Sequence, residues 1–308
     1  TPTAQSIDSL LLVSPDSIPL LIYKAEQLSG SYNYYDALQY ASKAFRLDTN
    51  NLEARHIYAT CLNNKEDRTI VEVGAAQRHL LYILKRDQKN SDVMVEVATT
   101  YGFMQDFETA FEYVNNALRA DVRNRDAYVY KGTLYRINGK MDLAKSSYET
   151  AIQMDPKYFQ AHIFLAGIYQ KENNPVAIEY FRTAYELNPT AELKYALAYA
   201  LDKFDKMEDS KSNYRELAGG TDQNFAAVGN FHLGYIKQLK EKEIDSALYF
   251  YSLAVSLDKD YVEAYHNRGM CYEIKGDYSN ARSEYLKALA ILPDFQLSMD
   301  AFNRISKK

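Results

Sequence analysis

The stretch RDAYVYKGTLYRINGKMDLAKSSYETAIQMDPKY, residues 125–158, decides the fold. It contains Gly139-Lys140, a pair that also occurs in phosphate-binding loops of the form G-x-x-x-x-G-K-[ST]. Gly132 lies too far back to serve as the first glycine of such a loop, and Met141 stands where the hydroxyl residue is needed. The stretch therefore does not predict a phosphate site, and Gly139-Lys140 has another role.

The small, aromatic and proline residues of this stretch recur along the chain at fixed spacing. They occupy places 4, 8, 11, 20, 24, 27 and 32 of a 34-residue segment, and here they are Tyr128, Gly132, Tyr135, Ala144, Tyr148, Ala151 and Pro156. The same spacing, with short insertions, fits eight segments: 18–51, 52–90, 91–124, 125–158, 159–190, 191–224, 227–261 and 262–295. Place 8 is Ala or Gly in all eight, and place 20 is Ala in seven and Ser in one. The chain is therefore an internal repeat.

The spacing resembles the tetratricopeptide repeat, whose pattern is W-x2-L-G-x2-Y, then A-x3-F, then P. Tyr stands for both Trp and Phe in this chain. The resemblance implies two antiparallel helices per repeat that cross closely at places 8 and 20, where only small side chains fit. It predicts an all-α fold, a superhelical solenoid of about eight helix–turn–helix repeats, with Gly139-Lys140 in one inter-helix turn.

The two ends lie outside the repeats. Residues 1–17 hold a short apolar patch and are expected either to cap the first repeat or to act as a tether from a lipidated cysteine upstream of Thr1. Residues 296–308 are predicted to form an amphipathic capping helix with Leu297, Phe302 and Ile305 turned inward.

Composition and motifs exclude several classes of function. The net charge of −5, with acidic and basic residues interleaved, lacks the basic footprint of a nucleic-acid binder. The five histidines and two cysteines show no metal-ligand spacing, so no metal and no cofactor are expected. Cys61 and Cys271 are predicted to be small buried residues rather than a disulfide. No nucleophile motif is present, and the sequence predicts no catalytic residue and no enzyme.

The family resemblance implies a concave surface lined by places 2, 5, 9 and 12 of each first helix. Places 5 and 9 are aromatic in repeats six and seven, which predicts a partner-binding patch, whereas in the middle repeats they are small or aliphatic. The alternative is that these rings only pack between neighbouring first helices. The candidate groove residues are Tyr195, Tyr199, Phe231, Tyr235, Val129, Ile163, His266 and Met270.

These observations predict a scaffold that binds one or more proteins or peptides. A Tyr-rich, Trp-free repeat chain of this style resembles bacterial envelope lipoproteins of the Bacteroidota type, which implies the periplasmic face of an envelope, lipid-anchored, within a secretion, gliding or cell-wall complex. Two alternatives stay open: a cytoplasmic co-chaperone or regulatory adaptor, and an accessory subunit of a modifying enzyme. A chaperone-tail clamp is not expected, since no place 5 is Lys and no place 9 is Asn.

Overall fold

The fold is entirely helical over the part of the chain that is described. The structure, a computed structural model, describes residues 4–306. Eighteen helices occur in that range, and no strand interrupts them there. The predicted all-α repeat fold is confirmed, and the number of helices is consistent with about eight repeats.

The chain divides into two compact units, Thr1–Ala161 and His162–Lys308. The first nine helices are α1 (Ala4–Val13), α2 (Ile18–Gly30), α3 (Tyr34–Leu47), α4 (Leu52–Asn64), α5 (Ile70–Leu84), α6 (Ser91–Phe103), α7 (Phe107–Ala120), α8 (Arg125–Ile137) and α9 (Met141–Met154). The others are α10 (Phe159–Lys171), α11 (Ala177–Leu187), α12 (Ala191–Lys203), α13 (Met207–Ala218), α14 (Gln223–Leu239), α15 (Ile244–Leu257), α16 (Val262–Ile274), α17 (Tyr278–Ile291) and α18 (Gln296–Ile305).

Asparagine and aspartate side chains set where many of these helices begin. The side chains of Asn51, Asn90 and Asn124 accept hydrogen bonds from backbone N–H groups three residues on, at the starts of α4, α6 and α8. Such caps satisfy N–H groups that have no partner within the helix, and each contributes about 1 kcal/mol. These polar residues therefore determine where the first helices of their repeats begin.

The inter-helix turn of residues 125–158 shows the role of Gly139. Its φ is +72°, in the left-handed region, where a residue without a Cβ is unstrained. The Lys140 N–H then donates to the Tyr135 carbonyl at 2.9 Å, which closes the end of α8. Gly139-Lys140 is thus the predicted turn between α8 and α9.

In repeats four, seven and eight the two helices cross where a glycine meets a buried ring. A Cβ on Gly132 would lie 2.7 Å from Cε1 of Tyr148, whose side chain is fully buried. The same relation holds between Gly269 and Tyr285, again at 2.7 Å. Place 8 is therefore glycine here because the tyrosine at place 24 fills the space that a methyl group would need.

One helix begins earlier than the repeat pattern predicts. Helix α14 starts at Gln223, ahead of the seventh repeat that the sequence predicts at 227–261. The Asp222 side chain accepts from the backbone N–H groups of Asn224 and Phe225, and this cap adds a turn ahead of the repeat signature.

Helix α1 packs on the first repeat. Ile7 is buried, and Asp8 pairs with Lys24 of α2 at 2.8 Å. Lys43 of α3 donates to the Pro15 carbonyl at 2.6 Å. Residues 7–15 therefore cover the apolar end of α2 and α3.

Helix α18 covers the other end, but one predicted contact is wrong. Ile305 is buried and Phe302 packs beside it as expected, whereas Leu297 is 60% exposed. The buried stripe instead runs through Ser298, Ala301 and Ile305, which share one helical face. Leu297 lies about 100° around the helix from Ser298, which turns it to solvent.

The two cysteines are free and buried. Burial raises the pKa of each thiol to about 12, with the charge of Glu96 adding to the effect at Cys61. Among the described residues, no helix is both long and apolar enough to cross a bilayer.

Two glycine-to-alanine variants test the helix crossing. We expect Gly269→Ala to be less stable than Gly167→Ala by about 1–3 kcal/mol, because only the first places a methyl group against a buried ring. Gly167 has no other group within 4 Å of an added Cβ. Alanine has a higher helix propensity than glycine, which stabilises both variants by about 1 kcal/mol. The difference between their free energies of unfolding, measured in urea, therefore reports the contact with Tyr285.

Equal stability of the two variants would contradict this account of the crossing. The double variant Gly269→Ala with Tyr285→Leu provides the control. In the Tyr285→Leu background, Gly269→Ala should lower the free energy of unfolding by less than it does when Tyr285 is present, because the ring that opposes the methyl group has been removed.

The cysteines give a second prediction. We expect neither thiol to react with a disulfide reagent at pH 8 in the folded protein, and both to react after denaturation, because the thiolate is the reactive form. Colorimetric counting of thiols checks this. Reaction of either cysteine before unfolding would show that its thiol is accessible.

Candidate functional site

Several first helices of successive repeats contact one another directly. In the C-terminal unit α12 touches α14, and α14 touches α16. Contacts between neighbouring second helices are sparser among the helices described. The first helices thus lie on the closely packed side of the hairpin stack, and places 2, 5, 9 and 12 project from that side.

Four predicted residues of α12 and α14 form what we call the aromatic face: Tyr195, Tyr199, Phe231 and Tyr235. Their exposure differs. Tyr199 is 44% exposed and Tyr235 is 37% exposed, whereas Tyr195 and Phe231 are half-buried. The face therefore has two accessible rings and two rings that lie deeper.

Tyr195 is held by rings from three helices. Its ring centroid lies 5.5 Å from that of His232 on α14, 6.5 Å from that of Tyr214 on α13 and 6.3 Å from that of Tyr199. The His232 ring stacks on Tyr214 with centroids 4.6 Å apart and planes 1° from parallel. Burial lowers the pKa of His232 to about 4, so this imidazole is neutral at pH 7.

Phe231 packs toward the next repeat. Its ring lies 4.9 Å from Tyr261, which precedes α16, and 5.7 Å from the buried Tyr251 of α15. Phe231 also packs against the cluster that includes Ala264 of α16, so it joins two neighbouring repeats. Tyr199 and Tyr235 remain open to a partner.

The other four predicted residues do not join the aromatic face. His266 is buried beneath α18, where its Nδ1 lies 2.9 Å from the Ser298 hydroxyl oxygen, and Met270 packs against the same helix. Ile163 is half-buried on α10. Val129 lies on α8 in the N-terminal unit and is buried.

The structure adds a polar network in the N-terminal unit that the sequence did not reveal. His56 Nε2 lies 2.6 Å from Glu96 Oε1, and the Thr60 hydroxyl donates to Glu96 Oε2 at 2.7 Å. Burial opposes protonation of His56, but the hydrogen bond and charge of Glu96 outweigh it and raise the histidine pKa. His56 is at place 5 and Glu96 is 40 residues further on, one repeat later, so only the packing of α4 on α6 joins them.

Charge on the first-helix side of the C-terminal unit is acidic. Places 2, 5, 9 and 12 of α12, α14 and α16 include no Lys or Arg. They do include Glu192, Asp202, Glu263 and Glu273. Within residues 4–306, no three His, Cys, Asp or Glu side chains are grouped so as to hold a metal ion.

Family models of the tetratricopeptide repeat match two parts of the chain. One model matches residues 262–295, and another matches the overlapping segments 98–159 and 134–192. Protein O-mannosyl-transferase TMTC1 of Mus musculus is 35% identical over 71 residues, 23% of this chain, and the human protein matches equally. The chain spans 8% of the length of these curated relatives.

Solved structures share the fold at low sequence identity. The C-terminal part of a TPR repeat-containing protein from Cytophaga hutchinsonii has a TM-score of 0.62 at 15% identity, over 79% of this chain and 97% of that one. The Cut9–Hcn1 hetero-tetramer of the APC/C has a TM-score of 0.57 at 19% identity, over 98% of this chain and 58% of that one. Residues 98–192 and 262–295 are therefore tetratricopeptide repeats, set in a chain of the same helical fold.

Proposed function

We propose that this chain is a non-enzymatic scaffold that binds a protein or peptide on the aromatic face of α12 and α14. The observation that carries the proposal is the exposure of Tyr199 and Tyr235, one on each of two contacting first helices. Tyrosine combines a large rigid ring with a polar hydroxyl and is common in protein interfaces.

The rings behind Tyr199 support the same function. Tyr195 is fixed between Tyr214, His232 and Phe225, the last at 6.5 Å, so the surface beneath a partner is preorganised. A binding surface that is already ordered loses little side-chain entropy when a partner docks. The partner proposed is a protein or peptide, rather than a nucleic acid, because the nearby charge is acidic.

A second candidate function is an accessory role beside a modifying enzyme. The local identity to a protein O-mannosyl-transferase, over 71 residues, favours it. In this case catalysis would belong to another polypeptide or segment. Co-purification of glycosyltransferase activity with the chain would favour this candidate over a plain scaffold.

For the compartment we propose the periplasmic face of a bacterial envelope, with lipid anchorage. The support is compositional: 28 Tyr and no Trp in a repeat chain, a style shared with envelope lipoproteins. The cytoplasmic adaptor is the alternative.

The aromatic face is tested by the double variant Tyr199→Ala with Tyr235→Ala. Both rings are accessible, so we expect partner binding to fall at least tenfold while circular dichroism and the unfolding midpoint change little. Tyr249→Ala on the second helix α15 is the matched control, since its ring is 62% exposed and lies off the aromatic face. Affinity purification with quantitative mass spectrometry of the three proteins gives the measurement.

Loss of the same partners from Tyr249→Ala, or their full retention by the double variant, would place the binding surface elsewhere on the chain. Either result would leave the repeat fold unaffected and would redirect attention to the second helices.

Fractionation of the source cells tests the proposed compartment. We expect the protein in the envelope fraction and its release by detergent rather than by salt, because acyl chains insert into the bilayer. Recovery in the soluble cytosol together with chaperones would instead favour the cytoplasmic adaptor.

A further inference from the structure

A hydrogen bond between the buried tyrosine at place 24 and the residue at place 12 recurs in the last two repeats. The Tyr251 hydroxyl donates to Gln238 Oε1 at 2.7 Å, and the Tyr285 hydroxyl donates to Glu273 Oε2 at 3.0 Å. Both tyrosine side chains are completely buried. In these repeats a long side chain on the first helix therefore satisfies a phenol that is cut off from water.

Repeat six has the tyrosine but lacks this bond. Its place 12 is Asp202, which is one methylene shorter than Gln238 or Glu273. The Tyr214 hydroxyl and the Asp202 Oδ1 are both buried, and neither has a hydrogen-bond partner among the described residues. A buried polar atom without a partner is destabilising, and this pair of residues carries two such atoms.

The two unpaired groups lie beside the aromatic face. Burial raises the pKa of the Tyr214 phenol, and the nearby Asp202 charge is the next contribution, followed by Tyr195 and Tyr199. Asp202 as a whole is only half-buried, although its Oδ1 atom is buried. The same residues therefore combine a carboxylate, a phenol oxygen and aromatic ring faces.

Within the C-terminal unit, little positive charge lies near the Asp202 carboxylate. Burial raises the pKa of Asp202, and Lys240 only partly offsets that rise. Lys240 lies 3.9 Å from Asp205 instead, and the Lys203 ammonium donates to the Gln170 carbonyl. His232 is neutral at pH 7, as described above.

We propose that the half-buried Asp202 carboxylate and the rings of Tyr195 and Tyr199 form a pocket for a lysine or arginine side chain of the bound partner. The cation donates hydrogen bonds to the Asp202 carboxylate, and it lies against the tyrosine rings. Such bonds to a charged group are the stronger class, and a cation over an aromatic ring adds further attraction. Exposed Glu192 and Glu263 on the same side favour a basic segment.

This inference rests on the proposed function, because the pocket adjoins Tyr199 of the aromatic face. It adds the chemistry of the partner: a segment with one anchoring basic residue. Repeat eight offers no equivalent pocket, since Glu273 is bonded to both Tyr285 and Arg304.

The experiment selects random dodecapeptides on the immobilised full chain. From the enriched peptides a lysine-containing sequence is synthesised with a twin in which norleucine replaces the lysine, and both are titrated by fluorescence anisotropy. We expect the norleucine peptide to bind the wild-type chain about 10–100-fold more weakly. This preference should vanish in Asp202→Asn, which removes the charge.

Asp202→Glu is a second informative variant of the same residue. Its longer side chain can accept from Tyr214 as Glu273 does from Tyr285, so the carboxylate satisfies the phenol and no longer holds the ligand. We expect it to lose most of the lysine preference while keeping its negative charge. Circular dichroism and the unfolding midpoint show that each variant is folded.

The outcomes separate this inference from the function on which it rests. One outcome is that the peptides need Tyr199 and Tyr235 but bind equally well with lysine or norleucine. That result would overturn the proposed pocket for a basic residue and would still support the aromatic face as the binding surface. A lysine preference that survives in Asp202→Asn would also overturn it. Failure to select any peptide, or binding indifferent to Tyr199→Ala with Tyr235→Ala, would overturn both.

Discussion

The close crossing of two helices within each repeat is the constraint on which the rest of this structure depends. At Gly132, Gly234 and Gly269 an added methyl group would lie under 3 Å from the ring of a buried tyrosine. Close packing of this kind fixes how the two helices of the hairpin sit against each other, and hence which side of the first helix faces outward. The accessible rings of Tyr199 and Tyr235 follow from that geometry, because places 8 and 20 are turned inward and place 9 is not.

The same constraint explains why the fold could be predicted from one sequence. Steric constraints require small residues at places 8 and 20 of every repeat, so each repeat independently supports the predicted fold. The prediction failed where no repeat pattern applies. Helix α14 begins at Gln223 because of a local aspartate cap, and Leu297 faces solvent because the cap helix α18 follows the buried stripe through Ser298. Those two features depend on single side chains rather than on the repeat.

The candidate site could be predicted only in part, for a different physical reason. Helical spacing placed Tyr195, Tyr199, Phe231 and Tyr235 on first helices, but burial is decided by neighbours that are distant in sequence. Phe231 is covered by Tyr261, and His266 is covered by α18 through Ser298. The pair of His56 and Glu96 shows the same limit, since the two residues meet only when adjacent repeats stack. Which residues share a face can be deduced from spacing, whereas which of them stay exposed depends on tertiary packing.

In repeat six, unlike repeats seven and eight, the buried tyrosine at place 24 has no hydrogen bond to the residue at place 12. Repeats seven and eight pair glycine at place 8 with a long polar residue at place 12, and their tyrosines are satisfied. Repeat six has Ala198 and Asp202 at these places, and two buried polar atoms lack partners. Departures from an otherwise consistent pattern are expected at functional sites, where a bound group supplies what the fold omits. The position of this departure, beside the accessible Tyr199, is the reason to propose partner recognition at repeat six rather than at repeats seven and eight, whose place-24 tyrosines are hydrogen-bonded.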